Sequence, residues 1–211
     1  AISRAAEVLS FTRLAARVFA TVGGVSARYL DQGGRLLTMA LALEQVRSQL
    51  RLYASRTPEA LARLVTAVDE FKSYDITPEH LREAAGQTGG ELAVKLEELA
   101  LLLESYDAAC ANGALDPRER LTRLRLALER SGMAEGRRVY VDGFSDFSAQ
   151  ERGVLELLLQ DAEELTVCLT CDSLTEGEDI FEAERSTAAV LTRMAARHGV
   201  PVETVRRSVT G

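Results

Sequence analysis

The spacing of the apolar residues changes along this 211-residue chain, and the change decides what it can fold into. In the middle, Leu36, Met39, Leu43, Val46 and Leu50 recur at alternating three- and four-residue steps. Leu61, Leu64, Val68 and Phe71 do the same, as do Leu92, Leu96, Leu99, Leu103 and Tyr106. Each series lays one apolar stripe along a helix. The ends read differently. Ala6–Ser10 reads as a short strand, followed by a helix over Phe11–Phe19 that Gly23-Gly24 stops. Arg138–Asp142 and Leu165–Thr170 read as strands, with a helix between them carrying Val154, Leu155, Leu158 and Leu159. A helix over Thr187–His198, closed by Gly199 and Pro201, leads to a third run at Val202–Val205. Strand–helix alternation predicts a parallel sheet. The expected fold class is α/β, with a parallel sheet in the C-terminal part and an all-helical middle.

Local punctuation supports this division. Thr57-Pro58, Thr77-Pro78 and Asp116-Pro117 each place a cap before a first-turn proline, and Glu119 stands at a third helical position. Ser148-Ala-Gln-Glu151 has the form of a capping box. Gly89-Gly90 and Asn112-Gly113 separate the helical pieces. A coiled coil over residues 91–110 is the alternative, but three heptads are short and the neighbouring caps imply tight turns.

With 46% hydrophobic and 27% charged residues, the chain can bury a core. No window is apolar enough to span a membrane, and the N-terminus lacks the pattern of a signal peptide. The expected setting is cytoplasmic, and the sequence reads as a piece of a longer protein. The net charge of −7 argues against a general polyanion binder. Residues 137–211 hold 14 acidic and 8 basic side chains, so the acidity gathers there. The cluster Arg118, Arg120, Arg123, Arg125 and Arg130, interspersed with Asp116, Glu119 and Glu129, reads as a solvated helix face. Cys168 and Cys171 are three apart in a strand-like run and point to opposite faces. With Cys110, His80 and His198 distant in sequence, no zinc set forms, and the cysteines read as structural. His80 has no evident partner, and His198 suits a helix C-terminus.

The segment that suggests chemistry is Val139-Tyr-Val-Asp-Gly-Phe-Ser-Asp-Phe-Ser-Ala-Gln150. An apolar strand ending in Asp is how many nucleotide motors hold Mg²⁺ at the C-terminal edge of a parallel sheet. The segment resembles the second motif of UvrD-like superfamily 1 helicases. It resembles more closely the B subunit of the AddAB (RexAB) helicase–nucleases, where it reads V-D-G-F-x-x-F-[ST]-x-Q-E. Leu9-Ser-Phe-Thr-Arg-Leu-Ala-Ala-Arg-Val-Phe19 resembles that family's S-F-[ST]-R-L-A-W-R-V segment, with Ala16 where the family often has Trp. Glu70-Phe-Lys72, Ile76–Glu79, Lys95–Ala100, Leu165–Asp172 and Ile180-Phe181 continue the likeness, which covers essentially the whole chain.

The resemblance implies a RecA-like helicase domain in two parts, residues 1–28 and 137–211, sharing one parallel sheet that contains both Ala6–Ser10 and Val139–Asp142, around a large inserted helical subdomain at 29–136. It implies a helicase-like arm that acts in double-strand break repair, works beside an AddA-type subunit in a heterodimer and binds single-stranded DNA at Chi. ATP, Mg²⁺ and an iron–sulfur cluster are implied for the full-length protein, and no cofactor for this segment. By matching position, Phe11, Arg13 and Phe144 line the DNA path. Asp142 is the metal position, and Gly143 stands where a working motor has Glu. No phosphate-binding loop G-x-x-x-x-G-K-[ST] is present in the sequence, so no catalytic residue is assigned and the segment alone is expected to be inactive, with weak DNA affinity. Two other readings stay open from the residues. One is a stand-alone Mg²⁺–nucleotide enzyme using Asp142 with Asp146 or Asp172; the other is a helical module that docks a partner protein.

Overall fold

Glu98, a helical carboxylate with 5% exposure, shows how this chain holds its turns. It accepts hydrogen bonds from three successive backbone amides, Arg51 at 2.7 Å, Leu52 at 3.0 Å and Tyr53 at 3.1 Å. A computed structural model describes residues 6–24, 27–111 and 113–206. The chain divides into two compact units, Ala1–Leu124 and Arg125–Gly211. No helix among the described residues is long and apolar enough to cross a membrane.

The first unit is helical. Its helices are α1 (Phe11–Val22), α2 (Gln32–Val46), α3 (Pro58–Ser73), α4 (Pro78–Gly86) and α5 (Gly90–Ala111). A 3-10 turn at Pro117–Glu119 then leads into α6 (Arg120–Ser131), which runs on past the unit's boundary. The side chains of Ser10, Asp31, Thr57 and Thr77 cap the helices that follow them, each accepting an amide of the first turn. The predicted stripes face one core: Met39, Leu43, Leu64, Val68, Leu103 and Tyr106 are buried where α5 packs on α2 and α4, and α2 on α3. Each buried aliphatic side chain contributes about 1.5–3 kcal/mol. Leu92 departs from the pattern and is 51% exposed at the start of α5. Because α5 is buried against several helices, the coiled-coil alternative does not describe it.

Inside this apolar core sits a polar centre that periodicity does not reveal. Asp116 has 0% exposure. Its Oδ2 accepts from Arg35 Nε at 3.1 Å and from the Tyr106 hydroxyl at 2.6 Å, while Oδ1 accepts from the Arg118 amide at 2.7 Å. Arg35 and Arg118 both donate to Asp69. Lys72 bridges Asp107 and Glu119, each at 2.6 Å. Asp116 is thus the predicted cap, and Glu119 binds Lys72. Asn112 of the expected Asn112-Gly113 break lies outside the described residues.

The second unit holds β1 (Arg138–Val141), α7 (Ala149–Asp161), β2 (Glu164–Val167) and, after a 3-10 turn at Asp179–Phe181, α8 (Glu182–Arg197). β1 and β2 pair in parallel, Arg138 with Glu164 through Val141 with Val167. The chain is therefore α/β, mostly helical, with a two-stranded parallel sheet among the described residues. Two strand expectations are corrected. Ala6–Ser10 forms no strand and ends as the extended cap of α1, so it does not join the sheet. Val202–Val205 also forms no strand, with Val202 and Val205 55% and 81% exposed. A strand needs a neighbour to pair with, and among the described residues neither segment has one.

Two outcomes follow for the polar centre. Asp116→Ala leaves Arg35 Nε and the Tyr106 hydroxyl buried without their shared acceptor and is expected to cost about 3–5 kcal/mol in urea denaturation. Burial alone would raise the Asp69 carboxyl, but hydrogen bonds from Arg35 and then Arg118 outweigh it and hold it below its usual range. A depressed folded value means stability is present above the unfolded value of about 3.9 and is lost as pH falls through the folded value. The urea midpoint of Asp69→Asn should therefore fall less steeply below about pH 4 than that of the unsubstituted chain. Parallel profiles would refute the assignment.

Candidate nucleic-acid interface

β1 delivers the Asp142–Ser148 segment to the C-terminal edge of the parallel pair, where the Cys168 amide donates to Val141 O at 2.9 Å. Asp142 is exposed, and its Oδ1 accepts from the Gly143 amide at 2.9 Å. Gly143 has φ +84°, a region that L side chains rarely adopt. Phe144 is half-buried and stacks on Phe147, with centroids 5.1 Å apart and planes at 29°. Phe147 is itself buried, at 3% exposure.

Two further ties set this turn. Thr187 of α8 donates from Oγ1 to Ser145 O at 2.9 Å, and Arg152 donates to Phe147 O. The predicted capping box closes it: Ser148 Oγ accepts from the Glu151 amide, and Glu151 Oε2 accepts from the Ser148 amide at 2.9 Å. Phe144 is held as an aromatic platform on a fixed turn. A shallow pocket of about 160 Å³, lined by Phe147, Arg152, Thr187 and Val190 among others, lies beside it.

The segment after β2 begins at the same edge. Asp172 turns back on its own loop, accepting from the amides of Ser173 at 2.7 Å and Glu178 at 2.8 Å and from Arg185 Nη1 at 3.3 Å. The Glu178 and Ser173 amides, with Arg185, hold its carboxyl below the usual range. It is committed to structure. Among the described residues no group of three or more His, Cys, Asp or Glu side chains is placed to hold a metal, and Asp172 is taken up by its own loop rather than left to pair with Asp142. The donor set does not fit an iron–sulfur cluster either, which takes four thiolates. Cys110 is buried in the first unit, while Cys168 is exposed and Cys171 half-buried in the second. For ATP, the two lysines lie on α3 and α5, not in a glycine-rich loop. Asp142 and Asp146 are both exposed carboxylates on this turn.

Phe11 and Arg13 occupy the first turn of α1, where the Arg13 amide donates to Ser10 Oγ at 3.3 Å. Phe11 is half-buried, and Arg13 and Ala16 are exposed. The four candidates therefore fall into two pairs, one in each unit. The structure brings Asp142 and Phe144 onto one turn and Phe11 and Arg13 onto another.

Other expectations change. His80 has a partner: its Nδ1 accepts from the Thr77 amide at 3.2 Å, completing a capping box in the place usually taken by Glu. His198 does sit at a helix C-terminus, and its Nε2 also lies 2.7 Å from Glu156 Oε1 on α7. The arginine cluster is not one solvated face. Arg118 pairs with Asp69, and Arg120 lies over the Tyr29 ring, 4.5 Å from its centroid. Arg123 lies 5.3 Å from the Phe19 ring centroid. Arg130 is exposed and donates to Leu126 O. The one sequence signal for the aromatic partners is the absence of any Asp or Glu from Val8 to Leu30.

A family model described as ADDB, N-terminal matches residues 2–210. The B subunit of the ATP-dependent helicase/deoxyribonuclease of Desulforudis audaxviator is 35% identical over 208 residues, covering 94% of this chain and 18% of that protein. The protein of the same name from Caldanaerobacter subterraneus is 32% identical over 204 residues, with the same coverage. That from Clostridium tetani is 32% identical over 214 residues, covering 96% of this chain and 18% of that protein. The chain spans about 18% of the length of the curated relatives it matches.

The Asp172 loop yields a test of how the sheet edge is held. A Cβ at Gly177 would overlap the Asp172 carboxylate, which two amides and Arg185 already fix in place. Gly177→Ala is expected to open residues 172–178 to limited proteolysis and to lower the melting temperature by several degrees, for a cost of about 1–2 kcal/mol. Cleavage at the rate of the unsubstituted chain would show that the loop yields without loss.

Proposed function

This chain belongs to the ADDB N-terminal family, and on that premise we propose that it is part of the helicase-like arm in the B subunit of an ATP-dependent helicase/deoxyribonuclease, holding single-stranded DNA without driving its movement. In this reading residues 1–28 and 137–211 contribute to a RecA-like body, and residues 29–136 form its helical insertion. Segments of the longer protein complete the parallel sheet, since parallel sheets are normally covered on both faces and Tyr140 of β1 is 65% exposed. Phe11, Arg13 and Phe144 touch the strand through stacking and phosphate contacts. An AddA-type subunit supplies the motor in a heterodimer engaged in break repair, and Chi recognition belongs to the assembled strand path. ATP and the iron–sulfur cluster belong to parts of the protein outside this chain, with Asp142 a partial Mg²⁺ ligand.

The observation that carries the non-motor role is Gly143. Motors of the resembled type place an acid directly after the Mg²⁺ aspartate to position water. Here that position has φ +84°, so a glutamate would be strained and the turn is built for glycine. The stacked Phe144–Phe147 pair, one residue further on, makes the same turn suited to a base.

Fluorescence anisotropy with labelled single-stranded DNA tests the assignment. Phe144→Ala is expected to weaken binding by about 1–3 kcal/mol, the usual worth of one stacked base, and Arg13→Ala to weaken it less and mainly at low salt. The chain is expected to show no ATP turnover. Identical titrations for all three proteins, or turnover that survives Asp142→Ala, would overturn the reading.

A further inference from the structure

Tyr29 lies at the centre of a small cationic layer in the first unit. Arg120 sets its guanidinium 4.5 Å from the Tyr29 ring centroid. Arg123 donates from Nη1 to the Tyr29 hydroxyl at 3.0 Å, with its guanidinium 5.3 Å from the Phe19 centroid. Arg28, on the preceding residue, is exposed. The segment does not swing freely. Tyr29 forms a parallel bridge to Leu115, through Leu115 N to Arg28 O at 2.8 Å and Leu30 N to Leu115 O at 2.9 Å.

The partners of this layer set it apart from the other cations of the unit. Other cations of the unit meet carboxylates: buried Arg35 meets Asp69 and Asp116, half-buried Lys72 meets Asp107 and Glu119, and exposed Arg118 meets Asp69. Arg120 and Arg123 meet rings instead, and no ion pair forms to either among the described residues. From Val8 to Leu30 the sequence carries Arg13, Arg17 and Arg28 and no acid, with Glu7 and Asp31 at its borders and Arg17 paired with Glu7 at 3.7 Å. Stacking on a ring contributes only about 0.5–1 kcal/mol at such sites and does not neutralise the cation. A guanidinium stacked by its face keeps its N–H edge available, and that fork matches the oxygens of a phosphate.

We infer that Arg28, Arg120 and Arg123, braced by Tyr29, form a contact surface for the phosphate backbone of single-stranded nucleic acid. The inference rests on the DNA-handling role above and adds residues to it. Phosphate contacts of this kind fix where a strand lies and carry no sequence information.

The test is a titration of the full chain with a fluorescein-labelled oligothymidylate of about 20 nucleotides at several salt concentrations. The Arg120→Gln/Arg123→Gln double variant and the Arg28→Gln single variant are compared with the unsubstituted chain, each checked by a thermal melt. The double variant is expected to bind about tenfold more weakly and to lower the slope of log affinity against log salt by about 1.4, near 0.7 for each phosphate no longer held. Arg28→Gln, at an exposed position, is expected to lower the slope by about 0.7 without moving the melting temperature. Unchanged affinity and slope in both variants overturn the inference; if Phe144→Ala or Arg13→Ala still weakens binding, the DNA-handling role stands without it. An unsubstituted chain that fails to bind the oligonucleotide at low salt overturns both. If the double variant melts early, Arg28→Gln decides alone, and an unchanged slope there overturns the inference.

Discussion

The carboxylate of Asp116 has no contact with solvent, and the first unit is arranged so that it is never without partners. Its three donors come from α2, from α5 and from the turn that opens α6, the first of them 81 residues away in sequence. Taking a carboxylate out of water costs several kcal/mol, and only the full set of donors offsets that. Apolar stripes alone tolerate neighbouring registers of one helix on another. A charge that requires Arg35 and Tyr106 at once selects a single register. The surrounding groups respond in the expected sense. Burial first, and then Asp116, pushes the Tyr106 phenol above its usual range, so it remains a donor. Burial and the same charge push the Cys110 thiol up to about 11, which keeps it protonated and inert.

The distance over which each feature is decided explains which parts are legible in the sequence. Helix starts are legible because a cap and its partner lie three residues apart: Ser148 with Glu151 and Thr57 with the Ala60 amide form as written. The apolar stripes are legible because periodicity is local too. The strands are legible in part. β1 and β2 pair with each other across one helix, whereas Ala6–Ser10 and Val202–Val205 have the composition of strands and no partner among the described residues. The cap role of Asp116 is plain from its neighbours, but its second role needs Arg35, 81 residues away, and no local pattern encodes that. The role of His80 is hidden because histidine seldom closes a capping box.

The candidate interface divides along the same line. Asp142, Gly143 and Phe144 stand out because a strand, an acid and a turn residue are adjacent in sequence. Their support is not visible there: Thr187 reaches Ser145 from α8, across 42 residues, and the ring stacking of Phe144 on Phe147 depends on the turn it creates. The arginines of α6 mislead for a related reason. Their sequence neighbours include Glu119 and Glu129, which suggests a solvated mixture. Glu119 instead turns to Lys72, and the partners of Arg120 and Arg123 are rings about 90 to 100 positions upstream.

Formal charge is therefore a poor guide to this surface. Residues 1–136 carry 18 acidic and 17 basic side chains, close to neutral. Several of those acids are committed inside the fold: Asp116 and Asp69 to Arg35, Asp107 and Glu119 to Lys72, Glu98 to three backbone amides. Each acid used internally is removed from the surface balance, and it is removed most completely where it is most buried. A potential felt by an approaching polyanion depends on the charges left outside that internal pairing. Around Tyr29 those charges are the guanidinium groups of Arg120 and Arg123, which meet rings and a hydroxyl and form no ion pair among the described residues. An acidic chain can thus present a cationic face, provided its carboxylates are held within its own core.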